Sequence, residues 1–437
     1  MFKKRHLRLF HQIYDVRKLF AQYGCSVAIS FSQFAVGSCD ADPLFPPLES
    51  RHNQIRDNTV NSLLEYGLVY GFSFSFPEFV TCFKVLYLVK DIFTAPTPGP
   101  REGLEVLVEE TLDHEESVIA GFPTIAAQLD FRREHIEAFR GRHLGRNRLV
   151  ACAGRGGMLT PVPAGVIAVN AELVDFALQT PVYHHASNLG APLAHGIATR
   201  HGLPAYVVDP VSVDELAPVA RVSGFAEIPR FSFVHALNIR ACGRRLARDL
   251  DKPFEDVRAV VAHLGAGFSI AALLGGKLVD SSNRMEVSPF TPERAGGLPP
   301  LPLIELCFSG TYTREELLAK LYGKGGVYGL LGTKDIRRVE TMIAEGDAKA
   351  ALVFEAMLYQ TAKAIGAMGA VAGFDLDGIV LTGGLANSNR VIGYLTEKLS
   401  RLAPIHTYPG SDECLALAEG AARVLRGQEA PLNWPVA

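Results

Sequence analysis

Apolar and polar positions follow two different regimes along this chain, and the change comes near residue 100. Beyond it the pattern is regular. The run LEVLVEETL, ending at residue 112, alternates like a strand with one wet face. FRREHIEAFR (131–140) carries the three-to-four-residue spacing of an amphipathic helix, and LVACAG (149–154) is a short apolar run. Strand patterns return at PAYVVD (204–209), VRAVVAHLG (257–265), SIAALLGGKLVD (269–280) and LDGIVLTGG (376–384), with helical text such as 348–368 between them. This alternation predicts an α/β fold with helices on both faces of a sheet. Residues 1 to about 100 are rich in Phe and Ser, without sustained periodicity, and composition shifts sharply across Thr94 to Pro100. The most apolar stretch, 66–93, is interrupted by Pro77, Glu78, Lys84, Lys90 and Asp91, which argues against a membrane span.

Length and composition narrow the class. At 437 residues the chain is sized for two domains, and two domains predict a cleft. Hydrophobic residues at 48%, charged residues at 20% and 41 glycines suit an α/β enzyme with many tight turns. The net charge of −3, with both signs interspersed, offers no basic field for nucleic acid or an anionic membrane. Seven scattered cysteines without a CxxC pair predict neither a disulfide framework nor structural zinc, and a reducing cytoplasm is the expected location.

Candidate chemistry gathers at glycine turns. A strand ending in His263-Leu264-Gly265-Ala266-Gly267 leads at once into a second strand, so bare backbone N–H groups at the tip can cradle phosphate oxygens. The turn Thr382-Gly383-Gly384-Leu385-Ala386 would let a nucleotide lie flat against backbone. Either turn alone is common. Arg155 in AGRGG and Arg294 in SPFTPERAGGLP supply guanidinium forks that match phosphate and carboxylate oxygens. His185 and Asn188, His235 and His263 add polar groups without a zinc spacing. Asp209 at a strand end and Glu413 in PGSDECLA are candidate Mg²⁺ ligands, because that ion takes one or two carboxylates plus phosphates and water.

From about 104 to 427 the motifs GRGGMLTPV, HHASNLGAPLAHGIA, HALNIRA, VVAHLGAGFSI, SPFTPERAGGLP, GIVLTGGLANS and YPGSDECLALAEGAARVLRG stand in an order that resembles the butyrate kinases. These are a branch of the acetate kinase group within the actin-like ATPase superfamily. The resemblance implies an α/β fold of two duplicated actin-like (ribonuclease H-like) domains with ATP and Mg²⁺ in an interdomain cleft. It implies ATP + butyrate = ADP + butyryl phosphate, with a short-chain carboxylate and its acyl phosphate as small-molecule partners, and a homo-oligomer. Carried over by position, Arg155, Arg294, His235 and Asp209 are the expected catalytic residues, and His185 and Asn188 face the acid. His263, Gly265, Gly267, Thr382, Gly383, Gly384, Leu385 and Ala386 bind nucleotide, and Asp209 and Glu413 bind metal.

The expected division is an atypical region at 1–100, the rest of the first domain at 101–220, the second at 221–427 and a tail at 428–437. Two departures stand out. Ala266 replaces a usual third glycine, and the family's opening loop, Asn-Pro-Gly-Ser-Thr-Ser-Thr-Lys, is missing. Counting back from EETLDHEE (109–116) places that loop near 87–98, where the chain reads YLVKDIFTAPTPG with only a faint echo in Thr94, Thr97 and Gly99. The local inconsistency of residues 1–100 favours an unnatural reading of the gene there over a crippled homologue. The alternatives to a butyrate kinase are a related short- or branched-chain acyl kinase and a catalytically impaired nucleotide-binding homologue.

Overall fold

Two sheets carry the fold, and each repeats one plan. In the computed structural model, which describes residues 67–74, 82–88, 104, 106–143, 148–282 and 288–436, all of these lie within one compact unit, Ser62–Val436. The first sheet opens as an antiparallel meander of β1 (Gly67–Phe74), β2 (Cys82–Leu88) and β3 (Val106–Asp113). After α1 (Glu116–Ala120) and α2 (Leu129–His143) the chain returns as β4 (Arg148–Gly154), parallel to β1. β5 (Val166–Ala168), α3 (Ala171–Gln179), α4 (Gly190–Arg200) and β6 (Ala205–Val208) follow, with β6 parallel to β4 and antiparallel to β5.

Helix α5 (Ala236–Asp249) leads into the second sheet. There β7 (Arg258–Leu264), β8 (Phe268–Leu274) and β9 (Lys277–Ser282) form the same meander. Six helices come next: α6 (Pro300–Phe308), α7 (Arg314–Tyr322), α8 (Gly326–Leu331), α9 (Ile336–Ala344), the long α10 (Ala348–Val371) and, after β10 (Gly378–Gly383), α11 (Asn389–Leu399). β10 lies parallel to β7, and β11 (Ile405–Pro409) parallel to β10. Finally α12 (Glu413–Leu425) and β12 (Leu432–Asn433) bring the chain back to the first sheet. Thus β1-β2-β3-β4 and β7-β8-β9-β10 repeat one topology.

Burial on both sides explains why β7 reads as a continuous apolar run rather than an alternating one. Ala259 and Val261 join the core shared with the first sheet, α5 and α12, while Val260, Ala262 and Leu264 join the core under α10 and α11. Helix α10 starts cleanly because the Asp347 carboxylate accepts from Ala350 N at 2.9 Å. The second strand expected directly after the tip is β8, Phe268–Leu274, and the rest of the SIAALLGGKLVD signal is β9. Gly275 and Gly276 both take positive φ (59° and 72°), the two-residue reversal that matches strand twist.

Three observations bear on the sequence expectations. Residues 82–88 form β2, which overlaps the start of the stretch near 87–98 counted out for the opening loop; the segment between β1 and β2 is 75–81. That segment reads SFPEFVT, has no glycine, and falls outside the described residues, as do Thr94, Thr97 and Gly99. Secondly, the expected tail at 428–437 contributes β12, which pairs with β5. Thirdly, α12, placed by the 427 boundary in the second domain, packs on β1, β4 and β6 of the first sheet. Gly420 permits this, since a Cβ there would overlap the side chain of Val208. Among the described residues no helix is long and apolar enough to cross a membrane.

Candidate functional site

The ends of β4, β6, β7 and β10 converge with the starts of α5 and α12. A cleft there is lined by Arg155, Gly157, Asp209, His235, Asn238 and Glu413, among others. Arg155 follows β4 directly, and its backbone packs on Gly190 at the start of α4 so closely that neither Gly154 nor Gly190 has room for a Cβ. The buried guanidinium lies 3.0 Å from Glu413 Oε2 at the start of α12. An ion pair between groups 258 residues apart thereby joins the end of β4 to the start of α12.

Asp209 ends β6 with a positive φ of 38°, a conformation that costs a non-glycine residue about 1 kcal/mol or more. Its Oδ1 accepts from Gly165 N at 2.8 Å and lies 2.9 Å from Arg240 Nε, a charge contact without hydrogen-bond alignment. Arg240 in turn donates to Gly276 O and lies over the Phe254 ring. Asp209 is therefore held from behind by an arginine one turn inside α5.

The hairpin tip between β7 and β8 carries Gly265, Ala266 and Gly267. Arg294 reaches it from the SPFTPER turn, and its guanidinium occupies the space a Cβ on Gly267 would need. Thr291 fastens that turn, donating from Oγ1 to Ala266 O at 2.7 Å and accepting from Arg294 N at 3.1 Å. Ala266 is exposed at the tip. Gly383, at φ +89°, closes on the same region, because a Cβ there would sit 2.5 Å from Leu264 O. Gly384 faces open space, Leu385 is half-buried and Ala386 is buried.

His235 and His263 stack with centroids 4.0 Å apart and planes at 15°. His235 Nδ1 lies 2.8 Å from Ser269 Oγ, and His263 Nδ1 lies 2.8 Å from Asn238 Nδ2. Burial lowers the pKa of His263 from 6.5 to about 4, with Glu413 opposing the shift and Arg155 and Arg294 reinforcing it. One imidazole thus feels three of the expected site residues. Because an unfolded chain protonates this ring near 6.5 and the folded one near 4, the unfolded state binds more protons across that interval, and stability falls as pH drops through it. The loss is on the order of 3 kcal/mol. Acid unfolding curves of His263→Gln are expected to be flatter than wild type between those pH values; identical curves would contradict the assignment.

Asn188 borders this cluster through the Gly157 turn, and His185 opens the short turn that carries Asn188. The Asn188 amide faces inward, Oδ1 accepting from Met158 N and Nδ2 donating to Tyr183 O, both at 2.8 Å. It braces the Gly157 turn, where φ is +71° and a Cβ would strike Asn188. His185 Nδ1 accepts from Ser187 N at 3.1 Å and caps the turn before α4. Through these contacts Asn188 shapes the wall beside Arg155. Sequence reading left Asn238, Ser269, Thr291 and Arg240 unassigned. Only Asn238 had a usable signal, standing three residues after His235 and hence on the same face of a helix start.

Residues 226–408 match the family model described as the acetokinase family. The acetate kinase of Porphyromonas gingivalis is similar in structure at 17% identity and TM-score 0.63, covering 83% of this chain and 100% of that one. A propionate kinase from Francisella tularensis subsp. tularensis SCHU S4 aligns at 18% identity and TM-score 0.57, covering 82% of this chain and 98% of its own. For the acetate kinase of Entamoeba histolytica the values are 14%, 0.61, 82% and 98%. The fold is that of the acetate kinases, the actin-like ATPase fold.

Proposed function

We propose that this chain is a carboxylate kinase that moves the γ-phosphoryl group between ATP and a short-chain fatty acid, with butyrate as the preferred acid. One observation carries the reading: two buried guanidinium groups and a stacked histidine pair meet at two glycine turns that touch each other. Phosphoryl transfer rests on positioning and on charge stabilisation around phosphorus, and this arrangement supplies both.

The acid is ionised at pH 7, so its oxygen attacks the γ-phosphorus without a general base, and the bond to the ADP oxygen breaks in line. Arg294, seated on Gly267, and Arg155, oriented by Glu413, face the negative charge spread over the transferring group. His235, held by Ser269, flanks the same space. The tip at Gly265–Gly267 receives the phosphates and the Gly383–Ala386 turn the nucleoside. Asp209 and Glu413 line one cleft, and two carboxylates beside a phosphate site are a donor set that Mg²⁺ accepts. When bound there, the ion would neutralise phosphate charge.

Butyrate rests on the ordered motifs between 104 and 427, and a methylene separates neighbouring acids by only about 1 to 3 kcal/mol. Trapping acyl phosphate as hydroxamate, with acetate, propionate, butyrate, isobutyrate and valerate compared, is expected to give the highest kcat/KM for butyrate. A higher value for another acid would replace the narrower claim. ATP binding without hydroxamate from any acid would instead make the chain a silent homologue.

A further inference from the structure

We propose that Asn238 is a positioning residue that holds His263 as its Nε2–H tautomer, turning a neutral ring N–H toward the hairpin tip at Gly265. The placement of a nucleotide phosphate at that tip rests on the function proposed above; the direction of the hydrogen bonds does not.

The argument starts from a group that can only accept. Gly410 O lies 3.0 Å from Thr382 Oγ1, so the threonine hydroxyl donates its single hydrogen there. Toward Asn238, 3.3 Å away, the same oxygen must then accept, and the amide must present its NH₂ group. That nitrogen also lies 2.8 Å from His263 Nδ1, so its second hydrogen goes to the ring. Nδ1 therefore accepts, and a neutral imidazole carries its one proton on Nε2. The amide oxygen is left on the far side, 3.9 Å from Cys242 Sγ, a weak donor. Nε2 comes within 3.2 Å of the position a Cβ would take on Gly265, so the proton is aimed at bare backbone where a ligand can approach. Stacking against His235 fixes the plane of the ring. Asn238 thus ties α5, β7 and β10 together and sets the proton on a ring that burial keeps neutral.

Ring ¹⁵N shifts of histidine-labelled full-length protein identify the tautomer without substrate, so a chain that made no acyl phosphate would still give the answer. The expected spectrum shows His263 with Nε2–H. In Asn238→Asp a carboxylate that only accepts replaces the amide, which moves the proton to Nδ1. Losing one hydrogen bond to a charged phosphate oxygen is expected to raise the KM for ATP about tenfold, more than it lowers kcat. An Nδ1–H ring in the wild-type protein overturns the proposal. So does an Asn238→Asp protein that keeps both the Nε2–H tautomer and the wild-type KM.

Discussion

Replacing Arg294 with alanine is expected to lower kcat for acyl phosphate formation about a hundredfold or more, the scale of removing one preorganised donor from a developing negative charge. The guanidinium is buried against Gly267, next to the expected path of the phosphoryl group. The turn that carries it is held by backbone and by Thr291, so the substitution leaves the scaffold intact. Arg294→Lys keeps the charge and loses the planar fork, and should fall between the two. The hydroxamate assay reads kcat directly, and a wild-type value in an active preparation of Arg294→Ala would remove this residue from the mechanism.

Gly383→Ala is expected to cost on the order of 4 kcal/mol in stability, the sum of about 1 to 3 for a strained positive φ and about 1 to 3 for overpacking. The φ of +89° disfavours any side chain, and the new methyl would meet the carbonyl and nitrogen of Leu264, which are backbone and cannot swing aside. Gly384→Ala is the control one residue along: its φ is not positive and a Cβ there meets nothing within 4 Å. Thermal unfolding should therefore separate the pair, Gly383→Ala melting about 5 °C lower while Gly384→Ala stays within about 1 °C of wild type. Equal melting temperatures would mean that the two glycine turns do not touch.

Much of this was readable from local pattern. The strands at 149–154, 204–209, 257–265 and 376–384 appear where their apolar runs stand, and the 348–368 helix extends only to Val371. Such periodicities report burial directly, because neighbouring side chains on a strand or helix share its faces. The two arginines and the two glycine turns were legible too, since a backbone that must approach a ligand or a guanidinium tolerates no Cβ.

The first strands were not legible. Residues 67–74 and 82–88 carry strand-favouring Val, Tyr and Phe without a sustained apolar–polar alternation, and it is pairing with β4 and β3 that shows them as sheet. The bracing role of Asn188 was not legible either: its amide accepts from Met158 and donates to Tyr183, and only three-dimensional packing shows which way a short polar side chain turns.

Residue types and their spacing were enough to name the groups proposed to bind phosphate. How those groups act on one another needed the folded chain. The stack of His235 on His263, the ion pair of Arg155 with Glu413 and the proton order running from Gly410 through Thr382 and Asn238 join segments that are up to 258 residues apart. A hydrogen bond depends on distance and direction in space, and neither is encoded by separation along a chain.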